Sequence, residues 1–281
     1  MKRFLHWVLP PILPALGSVI SGSFKRRNIE LGKLENEYKV LNSNSELDTI
    51  VLRPGLSLRA HPDSIKSFQY FCFNNLRAKQ ELDSFIELSK TKKCLLDIGA
   101  LHGIFSLVFA GQDPANRAIA LDPSPIAFSK LLYNINKNQF ENIQPIECAV
   151  SDRPGHLSMS YEWEHLVASP QALLKIQAKT GDDICNAQNF NPDIIKIDVE
   201  GHEIKVLQGL SETLKNHKPT IFLEFHPSRI REGGDDPRFL AELCEELEYH
   251  VTKVDGQYFP LADFSSSLKD ENLILASFTS Q

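Results

Sequence analysis

The sequence predicts an α/β protein with a doubly wound, mostly parallel sheet of about seven strands. Three observations indicate this class: short apolar runs alternate with amphipathic stretches from about residue 93, a loop with two glycines follows the first run, and acidic residues follow several runs. Strands that alternate with helices form βαβ units, which build a parallel sheet. In such a sheet the ligand lies beyond the carboxyl ends of the strands, near the point where the strand order reverses.

Seven short apolar runs are the predicted strands of this sheet. Each run is four to eight residues long, which is a usual length for a buried strand. In chain order, the strands are predicted over 94–98, 118–121, 143–150, 193–197, 220–225, 249–254 and 272–277. Helices are predicted between them over 125–136, 202–215 and 237–247. Ahead of the sheet, short strands over 49–52 and 56–59 and a helix over 78–89 are expected.

Length and composition restrict the class of protein further. A chain of 281 residues is long enough for one or two domains whose core needs neither disulfides nor metals. With 30 basic against 36 acidic residues, the net charge of −6 offers no basic field for binding nucleic acid. The five cysteines lie far apart and form no C-x-x-C pair, so neither a disulfide framework nor a zinc cluster is indicated. A reducing, cytoplasmic compartment is expected.

Residues 1–27 form an apolar and basic N-terminal arm. Basic residues flank an uncharged stretch over 4–24, whose length is close to the roughly 20 residues of a membrane helix. Pro10, Pro11 and Pro14 lie within this stretch and make a continuous spanning helix costly. Three interpretations stay open: an interfacial anchor in peripheral contact with a membrane, an arm packed on the protein, or a signal or span.

A loop with two glycines follows the first predicted strand and predicts a cofactor site. The segment 97–103 reads DIGALHG. Gly99 and Gly103, with Ala100 between them, allow a tight turn and a close approach of the backbone to a ligand. A carboxylate before the glycines would repel a pyrophosphate, so Asp97 suits a cationic ligand without phosphate. S-adenosylmethionine, which has a sulfonium and an ammonium group, is therefore the predicted cofactor.

Two further strand ends extend the predicted cofactor site. Asp122 ends the second strand, 23 positions after Gly99, where its carboxylate can accept hydrogen bonds from both ribose hydroxyls. The third strand ends in small residues, and Ala149 and Val150 could border an adenine ring. Because the position of Asp122 alone would serve a nicotinamide cofactor equally well, a NAD-dependent oxidoreductase is the alternative enzyme. The absence of a G-x-G-x-x-G motif argues against it.

One family of enzymes has motifs like those of this chain. The segment 193–209 reads DIIKIDVEGHEIKVLQG, and LDIGALHG, LDPSPIAF and FLEFHP stand around it. These motifs, over roughly residues 78–277, resemble the FkbM-type family of S-adenosylmethionine-dependent methyltransferases. The resemblance implies a Rossmann-like methyltransferase fold with an antiparallel last strand. It also implies methylation of a hydroxyl on a sugar, glycolipid or polyketide-like small molecule.

This chain departs from the family at one position in the glycine loop. The family usually has Asn where Leu101 stands, and the change removes one polar contact near the cofactor. Either His102 or the backbone alone would then have to maintain the affinity for the cofactor. A catalytically degenerate binding module therefore stays as a third interpretation of the chain.

Methyl transfer to a hydroxyl needs alignment of the reactants and a base within hydrogen-bond reach of the acceptor. Asp198, at the tip of the fourth strand, is the best-placed carboxylate, and Glu200, His202 and His226 are the other predicted catalytic residues. These groups could bind Mg²⁺ or Ca²⁺, but a metal-free, hydrogen-bonded site is the simpler expectation. Lys196 points to the same face as Asp198 and is expected to pair with Asp198 or Glu200.

Two further expectations concern the surroundings of these groups. Glu203 falls in the first turn of a predicted helix, where the macrodipole favours a carboxylate, so a structural role is expected. Tyr161, Trp163 and His165 lie between the third and fourth strands, where they either stack on a sugar ring or pack as ordinary surface aromatics.

The predicted organisation has three parts. After the arm over 1–27, a lead-in over 28–90 is expected to hold elements on the acceptor side, and residues 91–281 form the S-adenosylmethionine-binding methyltransferase domain. The acceptor pocket is expected from 28–90 and 155–180. The predicted partner is a small-molecule or glycan acceptor, and nucleic acid is not expected.

Overall fold

The computed structural model describes residues 49–53, 56–162 and 164–277. The described residues do not include the arm over 1–27, the lead-in up to residue 48, or Trp163. The interpretations of these parts stay predictions. Within them, no helix is both long and apolar enough to cross a membrane.

An antiparallel hairpin and two helices precede the central sheet. The hairpin pairs β1 (Thr49–Arg53) with β2 (Leu56–Arg59). Helix α1 (Pro62–Gln69) continues through a π-helical turn (Tyr70–Asn74) into α2 (Leu76–Ser89). These elements agree with the strands predicted over 49–52 and 56–59 and with the helix predicted over 78–89, whereas α1 had no predicted counterpart.

Seven strands form the central sheet, and each of the seven predicted runs supplies one of them. In chain order they are β3 (Cys94–Ile98), β4 (Arg117–Leu121), β5 (Ile143–Ile146), β10 (Ile194–Ile197), β11 (Thr220–Phe225), β12 (Tyr249–Lys253) and β13 (Glu271–Ser277). Their spatial order is β12-β13-β11-β10-β3-β4-β5. The last strand, β13, runs antiparallel to both of its neighbours, and the pairs from β11 to β5 are parallel. The predicted fold class is confirmed.

Four further strands, β6 to β9, form a smaller sheet inserted between β5 and β10. They are β6 (Ala149–Val150), β7 (Gly155–Glu162), β8 (His165–Ala168) and β9 (Leu174–Lys179), in the spatial order β6-β9-β7-β8. The single strand predicted over 143–150 is therefore wrong in its second half. Strand β4 ends at Leu121, and the N–H of Asp122 makes the last bond to β5, at the carbonyl of Ile146. Beyond that bond the chain pairs with β9 instead.

Eight helices connect the strands of the described chain after β3. They are α3 (Ile104–Gln112), α4 (Pro125–Asn138), α5 (Gly181–Ala187), α6 (Glu203–Gln208), α7 (Ser211–His217), α8 (Pro227–Glu232), α9 (Arg238–Leu247) and α10 (Asp263–Ser266). The continuous helix predicted over 202–215 is broken at Gly209. A Cβ there would lie 2.0 Å from the carbonyl oxygen of Ser151, so the chain passes the inserted sheet too closely for a side chain.

Apolar layers cover both faces of the central sheet. Leu96 and Leu95, successive residues of β3, belong to different layers because side chains alternate along a strand. The lead-in contributes to one layer through Phe85, whose ring lies 5.0 Å from that of Phe105 and 5.5 Å from that of Phe222. The described part of the lead-in therefore shares its core with the sheet.

Candidate active site

A cavity opens where the strand order reverses, at the carboxyl ends of β3 and β10. The chain runs outward from β3 through β4 and β5 and then returns to β10 on the other side of β3. The volume of the cavity, including the part open to solvent, is about 680 Å³. Its described wall combines the loops after β3, β4 and β10 with residues of β6, β7 and β8. This is the position at which doubly wound sheets bind ligands.

Gly99 and Gly103 shape the loop after β3 through left-handed backbone conformations. Their φ angles are 82° and 87°. A Cβ on Gly99 would lie 1.8 Å from the carbonyl oxygen of Asp198, and one on Gly103 would lie 2.4 Å from Cδ1 of Leu131. The loop therefore packs directly against the end of β10. Gly99 lines the cavity, whereas Gly103 caps α3 and Ala100 is buried outside the described wall.

Asp97 lies below this loop and is fully buried, outside the described wall of the cavity. Its Oδ2 accepts a hydrogen bond from the hydroxyl of Ser106 at 2.6 Å. Its Oδ1 is also buried and has no hydrogen-bond partner among the described atoms. Burial raises the pKa of Asp97, and the neighbouring Lys196 opposes that shift. Asp97, which is predicted to contact the cofactor, thus has one carboxylate oxygen without a hydrogen-bond donor in the described part of the chain.

Asp122 lies in the cavity wall at the end of β4. Its Oδ2 accepts the backbone N–H of Leu101 at 2.7 Å, and its Oδ1 accepts that of Ser124 at 2.8 Å. Burial raises the pKa of Asp122 to about 7, although the two backbone N–H groups counteract this effect. Leu101 stands where the family usually has Asn. Its backbone N–H, and not a side chain, makes the hydrogen bond to Asp122 at this position.

Glu164, in the turn between β7 and β8, contacts the segments that follow β3 and β4. The Oε2 atom of Glu164 lies 2.8 Å from Nε2 of His102, and its Oε1 accepts from Nζ of Lys130 at 2.7 Å. Its carbonyl oxygen accepts the hydroxyl of Ser124 at 2.6 Å. These contacts, led by that with His102, lower the pKa of Glu164 to about 2. His102 is buried in this pair and is not among the described wall residues.

An apolar wall lies beside Asp122, at the end of the neighbouring strand β5. Cys148, Ala149 and Val150 line the cavity there, together with Leu157 and other apolar side chains of the inserted sheet. An adenine ring needs such a surface. The two predicted residues, Ala149 and Val150, are both in this wall, and their contact with an adenine stays a prediction.

The inserted sheet and the lead-in differ in what they contribute to the described wall. Residues of the predicted segment 155–180 line the cavity, among them Met159 and His165. No described residue of 49–90 does so, and the role of the lead-in on the acceptor side stays a prediction. Tyr161 is 44% exposed and lies outside the described wall.

Asp198 follows β10 and lines the half of the cavity away from Asp122. Its Oδ2 accepts a hydrogen bond from Nζ of Lys196 at 3.3 Å. Burial alone would raise the pKa of Asp198, but Lys196 and His226 lower it below its usual value. Lys196 is 1% exposed, and its Nζ also lies 4.4 Å from the ring centre of Phe105. The expected partner of Lys196 is therefore Asp198 and not Glu200.

Glu200 lines the same half of the cavity in a left-handed conformation, with a φ of 53°. Strain of this kind in a residue with a side chain is concentrated at functional sites. Its Oε2 lies 3.1 Å from Nε of Arg229, and its Oε1 lies 3.8 Å from Nε2 of His165. Burial and the charge of Asp198 raise the pKa of Glu200 to about 7, against the effects of His226 and Arg229. Glu200 therefore changes protonation in the neutral range.

His226 follows β11 and is 4% exposed. Its Nδ1 lies 2.6 Å from Oε1 of Glu203, and its Nε2 lies 3.7 Å from both Oε2 of Glu200 and Oε1 of Glu224. Burial would lower the pKa of His226, but the contacts with Glu203 and Glu224 outweigh it and raise this pKa to about 11. His226 is therefore an imidazolium at neutral pH and has no lone pair with which to act as a base.

His202, the remaining predicted catalytic residue, lies in the described wall just before α6. Its Nε2 is 3.0 Å from the hydroxyl oxygen of Ser151, which belongs to the segment after β6. Burial lowers the pKa of His202, so the neutral imidazole is favoured. The structure thus brings Asp198, Glu200 and His202 to one cavity, with His226 beside them.

Asp198, Glu224 and His226 are the one group of described side chains with the spacing of metal ligands. Their ligand atoms lie within 4.8 Å of one another. The protein itself already places positive charge against these carboxylates, because Nζ of Lys196 lies 3.3 Å from Asp198 and His226 is protonated. The three side chains are therefore a set of paired charges, and the expectation of a metal-free site stays a prediction.

The fold and the site together define a class of protein. A central sheet of this strand order, a glycine loop after its first strand and a carboxylate after its second are the features of a Rossmann-like methyltransferase. The model of the Methyltransferase FkbM domain matches residues 97–251, more than half of the chain. The chain therefore belongs to the FkbM methyltransferase family, which confirms the resemblance in its motifs.

Two named relatives, both matched by sequence, support the same class. The hexuronic acid methyltransferase AglP of Haloferax volcanii is 25% identical over 190 residues, which cover 64% of this chain and 74% of that protein. The 2-O-methyltransferase NoeI of Sinorhizobium fredii is 23% identical over 198 residues, which cover 62% and 79% of the two chains. The crystal structure of Methyltransferase FkbM from Methylobacillus flagellatus matches with 18% identity and a TM-score of 0.46, over 66% of this chain and 44% of that one. This chain thus spans less than half the length of that protein.

Proposed function

We propose that the protein transfers a methyl group from S-adenosylmethionine to a hydroxyl oxygen of a small molecule: a sugar, a glycolipid or a polyketide-like compound. One observation carries the proposal: Asp122 and Glu200 line one cavity from the two sides of the strand reversal. Asp122 suits the ribose of the cofactor, and Glu200 suits the proton of an acceptor hydroxyl. The names of two relatives, a hexuronic acid methyltransferase and a 2-O-methyltransferase, favour a sugar as the acceptor.

The residues around the glycine loop fit S-adenosylmethionine. When bound, this cofactor supplies a methyl group that its sulfonium charge has already activated. Oδ1 of Asp97 is a buried acceptor without a partner, and a cationic ligand above the loop would compensate its charge. Each oxygen of Asp122 accepts one backbone N–H and has a second lone-pair direction left for a ribose hydroxyl. Leu101 therefore does not prevent cofactor binding in this proposal.

Glu200 is the proposed base. His226 is already protonated, and Lys196 and His226 hold Asp198 as a carboxylate of lowered pKa, which makes it a weak base. Glu200 has a pKa of about 7 and lies in the wall, so it can accept a proton near neutral pH. The carboxylate of Glu200 would accept the proton of the acceptor hydroxyl and become a neutral acid. In the same transfer the methyl carbon would exchange its bond to the cofactor sulfur for a bond to the acceptor oxygen, and the sulfur would leave as a neutral thioether. Asp198 and His226 act in this step by setting the charge around Glu200.

Calorimetric titration of the cofactor tests the first half of the proposal. Asp122→Asn is expected to weaken the binding of S-adenosylmethionine by about 10- to 100-fold, because it removes charge-assisted hydrogen bonds to the ribose. The matched control is Asp113→Asn. Asp113 is an exposed carboxylate that pairs with Lys93, the residue before the amino end of β3, and the variant is expected to bind the cofactor as the wild type does. NAD is the comparison ligand for the alternative enzyme.

Turnover with a radiolabelled methyl group tests the second half. Oligosaccharides that contain uronic acids, neutral sugars and polyketide alcohols form the acceptor panel, and label in an ether product is the expected result. Unchanged cofactor affinity in Asp122→Asn, or tighter binding of NAD than of S-adenosylmethionine, would overturn the cofactor site. Tight binding without transfer to any acceptor would favour the degenerate binding module.

A further inference from the structure

We propose that Glu203 is a positioning residue that holds His226 as a cation beside Glu200 and thereby sets the pH range in which Glu200 can act as a base. The inference rests on the proposed function, in which Glu200 accepts the proton of the acceptor hydroxyl. It gives Glu203 a role in setting charge, whereas its position in the first turn of a helix would by itself indicate only a structural role.

Two contacts of one oxygen atom define the geometry. Oε1 of Glu203 accepts the backbone N–H of Gly201 at 3.0 Å and lies 2.6 Å from Nδ1 of His226. Because this oxygen is an acceptor toward Gly201, we assign Nδ1 of His226 as the donor of the second bond. The hydrogen on Nδ1 is thereby fixed, and the other ring nitrogen, Nε2, faces the carboxylates of the acceptor half.

The contact with His226 exceeds what a helix cap requires. The bond to the N–H of Gly201 alone would satisfy a backbone donor at the start of α6, and an exposed carboxylate could make it. Glu203 is instead 0% exposed, and its Oε2 has no hydrogen-bond partner among the described atoms. Burial of a carboxylate with one oxygen unsatisfied is unfavourable, and the short bond to His226 is the evident compensation. It joins the loop after β10 to the residue after β11.

The surroundings of His226 favour its charged form. Nε2 lies 3.7 Å from Glu200 and 3.7 Å from Glu224, which is beyond a hydrogen bond but close enough for strong electrostatic attraction. The carboxylates of Glu203 and Asp198 add to this attraction, and they outweigh burial in raising the pKa of His226. His226 acts in turn on its neighbours, because its charge favours the ionised forms of Asp198 and Glu224 and contributes to the lowered pKa of His165.

The charge of His226 acts in turn on Glu200. The titratable and charged groups that face Glu200 are Asp198, Glu224, His165, His226 and Arg229. Burial and Asp198 raise the pKa of Glu200, and His226 is the first of the opposing charges. A neutral His226 would therefore raise the pKa of Glu200 further, and the base would be lost to protonation at a higher pH. Glu203 thus acts on the pKa of Glu200 through the charge of His226, and the proposal needs no contact between Glu203 and the acceptor.

The test is the pH profile of kcat/KM in the variant Glu203→Gln. The amide oxygen can still accept from Gly201 and His226, so the arrangement is retained while the charge is removed. The acid limb of the profile is expected to move to higher pH, with the plateau at high pH kept. An upward shift of one unit lowers kcat/KM about tenfold on the acid side. Glu212→Gln, the same change in the first turn of α7 without a histidine contact, is the matched control and is expected to leave the limb in place.

Nitrogen NMR of labelled histidine gives a readout that does not need turnover. His226, assigned by its absence in His226→Asn, is expected to carry both ring protons up to about pH 9 in the wild type and to titrate below that pH in Glu203→Gln. Calorimetry of S-adenosylmethionine with Glu203→Gln is expected to give the affinity of the wild type, which separates this role from a defect of the cofactor site. An unmoved acid limb together with an unchanged His226 signal would overturn the proposal and leave Glu203 as a helix cap. A shifted His226 signal with an unmoved limb would equally overturn it.

Discussion

Nε2 of His102 lies 2.8 Å from Oε2 of Glu164, so the turn between β7 and β8 touches the loop that carries Gly99 and Gly103. The same turn reaches the acceptor half, where Oε2 of Glu162 accepts from Nη2 of Arg229 at 3.0 Å. The inserted hairpin thus contacts both halves of the cavity. Leu166, two residues after Glu164 in this hairpin, is part of the cavity wall.

Glu164→Gln is therefore expected to speed the release of the cofactor. The variant loses the charge that faces His102 and Lys130 but keeps the backbone contact with Ser124, so an increase of about three- to tenfold in the dissociation rate is expected. Stopped-flow displacement of S-adenosylmethionine by its demethylated product measures this rate. Glu162→Gln, at the other end of the same turn, is the control and should change the KM of the acceptor instead. Equal dissociation rates in wild type and Glu164→Gln would show that the pair does not retain the cofactor.

Gly99→Ala and Gly234→Ala form a matched pair at left-handed positions. Their φ angles are 82° and 86°, but a Cβ on Gly99 meets the carbonyl of Asp198 while one on Gly234 meets nothing within 4 Å. Urea unfolding is expected to show a loss of about 1 to 2 kcal/mol for Gly234→Ala from its conformation alone. Gly99→Ala is expected to lower the free energy of unfolding by about 1 to 3 kcal/mol more than Gly234→Ala, because the added Cβ overpacks the loop. It is also expected to bind the cofactor poorly. Equal losses would mean that the loop after β3 can move away from β10 without cost.

Glu200→Gln is expected to lower kcat by about 10²- to 10⁴-fold with little change in cofactor affinity, because a general base is removed. In the proposed mechanism, the deprotonated form of Glu200 is the active one. Since burial raises its pKa to about 7, kcat/KM should rise with pH through that value and level off above it. Steady-state kinetics over this range measure both effects. Glu141→Gln, on the exposed surface before β5, serves as the control. A profile that is flat through pH 7, or full activity in Glu200→Gln, would assign the base elsewhere.

Lys196→Met is expected to destabilise the fold by about 3 to 5 kcal/mol, the usual cost of removing one partner from a buried ion pair. Lys196 is 1% exposed beside Asp198, and without it the carboxylates of Asp198 and Asp97 would lose their nearest buried cation. Equilibrium unfolding in urea measures the loss. Lys215→Met, which breaks the exposed pair with Glu246, is expected to cost less than about 1 kcal/mol. Similar values for the two variants would contradict the role of Lys196.

The local pattern of the chain is enough for most elements of the central sheet. Strands such as β3 and β10 are covered on both faces, so almost all of their side chains are apolar. A short, continuous apolar run therefore reveals them in the sequence. The glycine loop is visible for a similar reason, because Gly99 and Gly103 have conformations that other residues rarely adopt. The inserted sheet is different. Strand β7 is only half buried, so it has no comparable apolar signature.

The catalytic half could be predicted as a set of residues but not as an arrangement. The motif places Asp198 and Glu200 at one strand end, but their protonation depends on groups from other elements. The partner of His226 lies 23 positions away at the start of α6, and the partner of His102 lies 62 positions away. No periodicity or spacing encodes contacts of that range.

The strands of the central sheet, the glycine loop and the family could be read from the amino-acid sequence, because backbone conformation and burial on two faces are local requirements. Contacts between distant parts of the folded chain set which predicted side chains are charged, and the proposal of Glu200 as the base rests on them. Asp198, the first choice from its position, is paired with Lys196, and His226 is protonated by its carboxylate neighbours. The pKa of Glu200 is raised to about 7 because burial and the charges of Asp198 and Glu224 outweigh those of His226 and Arg229. This combination arises only when the folded chain brings these groups close to one another.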